Sequence, residues 1–184
     1  QVMENGSLLK YNGDSFFEGS LVEPLSCVVG AFNAQYHMKK MYSYEHVMGV
    51  KEGGAMALLG ATGPMGFLEM DFEIQGPKKP SVLVVTGRTQ EKLDMAAKLY
   101  TVEEAKEQGV ELVYVNTRDM EDVNAELRNY SARGFDDVFI FAPNQEMVTY
   151  GTKMLAYDGC LNFFSGPADQ EFSANVNFYN IHYN

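Results

Sequence analysis

Residues Ala55–Gly66 read AMALLGATGPMG, and this stretch decides the fold. Its first five residues, Ala55–Leu59, are a short apolar run of the kind that makes a buried strand. Gly60-Ala61-Thr62-Gly63-Pro64-Met65-Gly66 is a glycine-rich turn, and from Phe67 the pattern is apolar and helix-compatible. Strand, glycine turn and helix are the context in which a GxGxxG-type pattern points to a dinucleotide. Gly63 lets the backbone approach a pyrophosphate, and Gly66 lets the helix pack closely on its strand. Pro64 suits the first helical turn, where its missing N–H is no loss. The free N–H groups of that turn, with the helix dipole, then offer a site for phosphates. Ala61, preceded by Gly60, stands where the first glycine is usual, so an ordinary glycine-rich turn remains the alternative on the motif alone.

Outward from this stretch, the chain alternates. A helix over Pro64–Gln75 is stopped by Gly76-Pro77. Ser81–Thr86 (SVLVVT) is a second strand, followed by a helix from Thr89 to about Tyr100 and a polar helical stretch over Val102–Gln108. Further strands are expected over Glu111–Val115, Asp137–Phe141 and Gly159–Phe164, with helices over Met120–Ser131 and Gln145–Ala156 between them. Strands alternating with helices of this length predict an α/β fold, a doubly wound parallel sheet of about six strands. Val176–Tyr183 (VNFYNIHY) is the expected sixth strand, at the sheet edge. Before the glycine turn, Gln1–Gly19 reads as irregular with one or two short strands such as Ser7–Tyr11. Glu23-Pro24 opens an apolar helix running to about Phe32 or Ala34. Gln35–Gly54 is a connector, and its closing Gly53-Gly54 divides a leading part, 1–50, from a nucleotide-binding unit, 51–184.

At 184 residues and 46% hydrophobic content the chain can bury a real core. No apolar run approaches the ~18–20 residues of a membrane span, and no signal-peptide pattern opens the sequence. A net charge of −11 argues against nucleic acid as the main partner. Cys27 and Cys160 lie far apart and suggest neither a disulfide framework nor a zinc finger, which fits a reducing, cytoplasmic compartment. Both read as core residues. His37, His46 and His182 have no ligand spacing and read as surface or hydrogen-bonded histidines, with acid–base work as the alternative.

The end of the second strand bears on the choice of cofactor. An Asp or Glu there favours NAD, whereas a small residue followed by Arg accommodates the 2′-phosphate of NADP. Counting ~20 residues on from Gly66 reaches Thr86-Gly87-Arg88. Gly87 brings no carboxylate, Arg88 supplies a planar donor fork, and Lys92 lies one helical turn further. NADP(H) is therefore expected over NAD(H), a plain turn with two solvated cations being the alternative. Ala142-Pro143-Asn144 and Gly166 should lie at the carboxyl edge of the sheet, where the nicotinamide half passes. Asn144 reads equally as the N-cap of the next helix.

These residues resemble the cofactor-binding domain of the medium-chain dehydrogenase/reductases, in the zinc-dependent alcohol and polyol dehydrogenase branch and nearest its sorbose-1-phosphate reductase-like members. The likeness is carried by Glu23-Pro24-Leu25-Ser26-Cys27, Gly63-Pro64-Met65-Gly66, Val84-Val85-Thr86 with Lys92, Phe135-Asp136-Asp137-Val138, Phe141-Ala142-Pro143 and Asp158 to Pro167. It implies hydride transfer between a nicotinamide and the carbonyl or secondary alcohol of a small molecule, here a sugar phosphate or polyol. It also implies a zinc ion held largely by a separate catalytic domain. Residues 1–50 then become a remnant of that domain with its connecting helix, and this chain alone is expected to be inactive. The resemblance makes Glu23 a zinc ligand in the longer enzyme; the residues themselves allow a simple helix start. Without visible co-ligands, no metal is expected in this chain. The cofactor-contacting set is Gly63, Pro64, Met65, Gly66, Thr86, Gly87, Arg88, Lys92, Ala142, Pro143, Asn144 and Gly166. The resemblance further implies a homodimer through the edge strand near 176–183. A non-catalytic nucleotide-binding module and a zinc-free quinone-reductase-like relative are the alternatives.

Overall fold

The computed structural model describes residues 10–183. The fold follows from one parallel sheet whose three inner strands are buried on both faces. Its strands are β3 (Ala55–Leu59), β4 (Val82–Gly87), β5 (Glu111–Asn116), β6 (Phe135–Ile140) and β7 (Leu155–Phe163), in spatial order β5-β4-β3-β6-β7. Every neighbouring pair is parallel. Such strands need helices above and below, so their sequences are continuous apolar runs.

Alternate residues feed two cores. Met56, Leu58, Leu83, Val85, Leu112 and Phe139 face one layer, where α2 (Pro64–Gln75), α3 (Gln90–Leu99) and α4 (Val102–Glu107) supply Met70, Ile74, Ala96 and Ala105. Ala57, Leu59, Val84, Val115, Val138 and Ile140 face the other, closed by Leu127 of α5 (Val123–Leu127) and by Met147 and Val148 of α6 (Gln145–Lys153). Doubly wound α/β, as expected, is the architecture.

Several local expectations change. The first helix, α1, runs Phe16–Ala34 and carries Pro24 in its interior, so Glu23-Pro24 does not begin it. The helix begins at Ser15, whose hydroxyl accepts from Phe17 N at 3.2 Å. The expected short strand over Ser7–Tyr11 falls largely outside the described residues. α1 packs on α2 through Phe32 and Phe72, with ring centroids 4.8 Å apart at 86°. The connector holds an antiparallel hairpin of β1 (Tyr36–Met38) and β2 (His46–Met48). α5 is shorter than the expected 120–131 helix, and β7 begins four residues before its expected start.

The main sheet has five strands among the described residues, not six. The segment expected as the sixth is helical instead: α7 spans Phe178–Tyr183. Asn177 explains this, because its side chain accepts from Asn180 N at 3.2 Å and its carbonyl from Ile181 N at 3.3 Å. Tyr179 and Tyr183, one turn apart, bring their rings to 4.7 Å along the helix. A local cap has overridden the β-propensity of the aromatic residues. A strand-to-strand dimer through 176–183 therefore lacks its strand. No described helix is long and apolar enough to cross a membrane.

Candidate functional site

Chain order and spatial order diverge at one place in the sheet. From β3 the chain winds outward to β4 and β5, then returns to the other side of β3 as β6. The carboxyl ends of β3 and β6 thus border a crevice at the switch point, the usual ligand position in open α/β sheets.

The glycine turn fills one side of that crevice. Gly60 has φ +69°, a left-handed conformation that suits a residue without Cβ. Its N–H donates to Thr86 Oγ1 at 3.0 Å, and Ala61 N–H donates to the Thr86 carbonyl at 3.1 Å. Thr86, buried at 1% exposure, is thus a brace for the turn, and its hydroxyl already has a partner. A Cβ on Gly66 would collide with the Ala61 backbone, so glycine there is enforced by helix-to-strand packing. Gly63 is the N-cap of α2 and faces open space, with Pro64 just inside the helix.

The start of α2 is chemically bare. Helices α1, α3, α4, α5 and α6 all have an acid in the first turn, and all but α3 have a side-chain cap. α2 has neither. In a chain with 25 Asp and Glu residues, the helix that follows the glycine turn keeps its N–H groups and dipole unopposed. The residues fit a dinucleotide's phosphates.

Across the crevice, Ala142 lies beside the turn, 3.2 Å from a Cβ built on Gly60. Asn144 caps α6, its side-chain oxygen accepting from Met147 N at 2.8 Å, so of the two roles expected for it the helix lead-in is the one the geometry displays. Pro143 is exposed, and Gly166 follows β7 in open space.

At the end of β4, Gly87 has a packing reason to be glycine. A Cβ there would come within 2.6 Å of Thr62 Cγ2 and 3.2 Å of Leu93. Arg88 and Lys92 are exposed. Arg118, which sequence reading passed over, stands beside Arg88: its Nε donates to the Arg88 carbonyl at 2.8 Å. The available signal was position, since Asn116 pairs with Gly87 in the β4–β5 register and puts Arg118 at the same edge. Burial pushes Tyr150 up to about 12, with the Arg88 charge pulling the other way, so the guanidinium also lies toward α6.

Glu23 sits on an exposed face of α1, and Cys27 Sγ donates to its Oε1 at 3.5 Å. Cys27 is exposed rather than in the core as expected, and Cys160 is half-buried. The Glu23 hydrogen bond pushes the Cys27 thiol up, away from the thiolate a metal prefers. The described residues form no cluster of three metal-ligating side chains. They do not fit a complete zinc site.

Two buried acid pairs lie outside the crevice. Asp137, at 1% exposure, accepts from Gln35 Nε2 at 2.8 Å, His37 Nε2 at 2.9 Å and Lys51 N at 2.9 Å. Asp136 takes the Lys51 ammonium and Ala55 N. Burial alone would lower the pKa of His37, but the hydrogen bond and charge of Asp137, with the Asp158 carbonyl, raise it overall. His37 is the hydrogen-bonded histidine expected. On α2, by contrast, Glu69 and Glu73 are fully buried, and none of their carboxyl oxygens has a hydrogen-bond partner.

No family model matches the chain. It is 46% identical over 183 residues to L-sorbose 1-phosphate reductase of Klebsiella pneumoniae, covering 100% of this chain and 43% of that protein. It is likewise 46% identical over 183 residues to mannitol-1-phosphate 5-dehydrogenase of Aliivibrio fischeri, covering 99% of this chain and 43% of the relative. The chain thus spans less than half the length of these relatives. The fold is similar to the crystal structure of 2R,3R-butanediol dehydrogenase from Bacillus subtilis, with TM-score 0.63 and 20% identity over 91% of this chain and 40% of that one. Other similar folds have been solved with NADP in one case and NADH in another, so fold likeness does not choose between them. The resemblance to the cofactor-binding portion of zinc-dependent medium-chain dehydrogenases holds in both sequence and fold.

Proposed function

We propose that this chain is the cofactor-binding portion of an NADP(H)-dependent oxidoreductase acting on a sugar phosphate or polyol. The observation that carries the reading is the start of α2. It sits at the switch point, braced by Thr86, and is alone among α1 to α6 in having neither cap nor acid. The Met65 and Gly66 N–H groups and the helix dipole hold the pyrophosphate, while Gly63 leaves room for its approach. Arg88 and Arg118 receive the 2′-phosphate, with Lys92 adding charge from α3. Ala142, Pro143 and Gly166 border the path of the nicotinamide half. The bound cofactor supplies or accepts the hydride; these residues bind and orient it. Both named relatives act, by name, on phosphorylated sugars or sugar alcohols, which supports the substrate class. A zinc ion would need ligands beyond Glu23, since the described residues bring no three ligating side chains together.

The test is a calorimetric titration of the chain with NADPH and with NADH, repeated on Arg88→Ala. Arg88 is the better probe than Gly87, where any side chain would strike Thr62. Tighter NADPH binding that Arg88→Ala abolishes is the expected result. Equal affinities would sink the 2′-phosphate assignment, and no binding of either cofactor would sink the whole reading.

A further inference from the structure

The opposite edge of the sheet holds a second concave site. At the amino ends of β6 and β7, the β1–β2 hairpin, the loop before β6 and the first residues of β7 enclose a pocket of ≈ 620 Å³. That is within the usual size range of small-molecule sites. Lys39, Lys40, Lys51, Arg128 and Arg133 line it, five of the chain's 14 Lys and Arg residues. Only Asp136 and Asp158, of 25 acids, join them. In a chain of net charge −11 this is a local inversion of sign.

Both acids are already occupied. Asp136 holds the Lys51 ammonium and Ala55 N, and Asp158 accepts from Met38 N at 2.7 Å. Lys39 pairs with Glu45. Among the described residues Lys40, Arg128 and Arg133 have no carboxylate partner. The Arg128 guanidinium is oriented only by neutral acceptors, including the Lys153 carbonyl at 2.9 Å. An apolar wall completes the pocket: Met38, Met41, Leu155 and Tyr157. The only two non-glycine residues with positive φ among those described, Tyr42 and Asp158, also meet here, Asp158 lining the pocket and Tyr42 placing its ring 6.3 Å from that of Tyr157. Unusual backbone conformations of this kind cluster at ligand sites.

The geometry points to a second anion site, for a phosphate monoester of a small molecule with an apolar or aromatic body. The phosphate meets Lys40, Arg128 and Arg133, and the body lies on the methionines and Tyr157. Arginine suits this task because its fork matches phosphate oxygens and stays charged. The six-residue β6 separates this pocket from the glycine turn by roughly 20 Å. A molecule held here is therefore an effector or a second ligand, not the cofactor's own phosphates.

Phenyl phosphate is a suitable probe, titrated calorimetrically into the chain, with phenol as the uncharged control. Saturable binding is expected, weakened at least about tenfold in Lys40→Ala/Arg133→Ala and unchanged in Arg88→Ala. Both substituted side chains are exposed, so the variant keeps its fold. Binding that is absent, that phenol matches, that survives the double substitution, or that Arg88→Ala removes would each overturn the proposal.

Discussion

Asp136–Asp137 and Glu69–Glu73 are two acid pairs in the same dry interior, and the protein treats them oppositely. The aspartates stand at the amino end of β6, where Gln35, His37, the Lys51 ammonium and two backbone N–H groups converge on them. Their charge is matched by donors that lie 81 to 102 residues earlier in the chain, at the end of α1, in β1, after β2 and at the start of β3. The glutamates stand one turn apart on α2, within the apolar layer of Phe32, Met70 and Ile74. Burial pushes Glu69 up to about 8, with the charge of Asp137 adding to it, and pushes Glu73 well above the usual carboxylate range, with the charges of Glu69 and then Asp137 adding to it. Depth alone does not set the state of a buried acid. Short carboxylates beside backbone donors stay paired, and long ones on a helix face without donors give up their charge instead.

The largest expected effect breaks the satisfied pair. Asp137→Ala strands the Gln35 amide, the His37 ring and Lys51 N–H together, and should cost about 3–5 kcal/mol in urea denaturation. Glu73→Leu should do the reverse, raising stability by about 1–3 kcal/mol, because it removes an unpartnered polar group from an apolar layer. If both substitutions destabilise equally, the glutamates have a partner and the contrast is void.

A pH series sharpens the same contrast. Glu69 and Glu73 bind protons more tightly folded than unfolded, so their contribution is full below about pH 4.5; that of Glu69 is lost as pH rises through about 8, and that of Glu73 as pH rises through its own raised value. His37 is also raised, so its contribution is full below its unfolded pKa and is lost as pH climbs through the folded value. Stability should therefore fall from pH 5 to 8. Glu69→Leu/Glu73→Leu should flatten most of that slope, and His37→Gln should remove the remainder above about pH 6.5. A double variant that keeps the full slope would mean the glutamates titrate normally.

Much of the fold was legible because parallel strands are written as uninterrupted apolar runs. AMALL, VLVVTG and DVFI are β3, β4 and most of β6 within a residue or two. The glycine turn was legible for the same reason: its residue types answer to backbone needs only a few positions apart. The β1–β2 hairpin was not, since its strands are three residues each, too short to show a pattern, and are held by Asp137 and Asp158 from far along the chain. The start of α1 carries two competing signals: Ser15 with Glu18 three residues on is a capping signature, and Pro24, inside the helix, imitates a second start. Gly87 was read through cofactor chemistry alone, whereas Thr62 and Leu93 demand glycine whatever is bound. The absence of an acid there is thus weaker support for NADP(H) than the placement of Arg88 and Arg118.

The smallest expected effect carries the comparison to the surface. Inside the protein an unpartnered polar group is a penalty, but at the start of α2 unpartnered N–H groups are what a phosphate would bind. Gly63 is extended, with φ −115° and ψ 176°, and a Cβ there meets nothing within 4 Å, so an aspartate is accommodated without strain. Gly63→Asp should cap α2 as Asn144 caps α6 and raise stability by only about 0.3–1 kcal/mol, visible as a small increase in Tm. The same carboxylate would occupy the place of the pyrophosphate and repel it, so NADPH and NADH should weaken together. Loss of affinity with a gain in stability would show that α2 is left bare for its ligand. A stabilised variant that still binds cofactor at full strength would show instead that the phosphates lie elsewhere, and that the bare helix start is an unfilled cap.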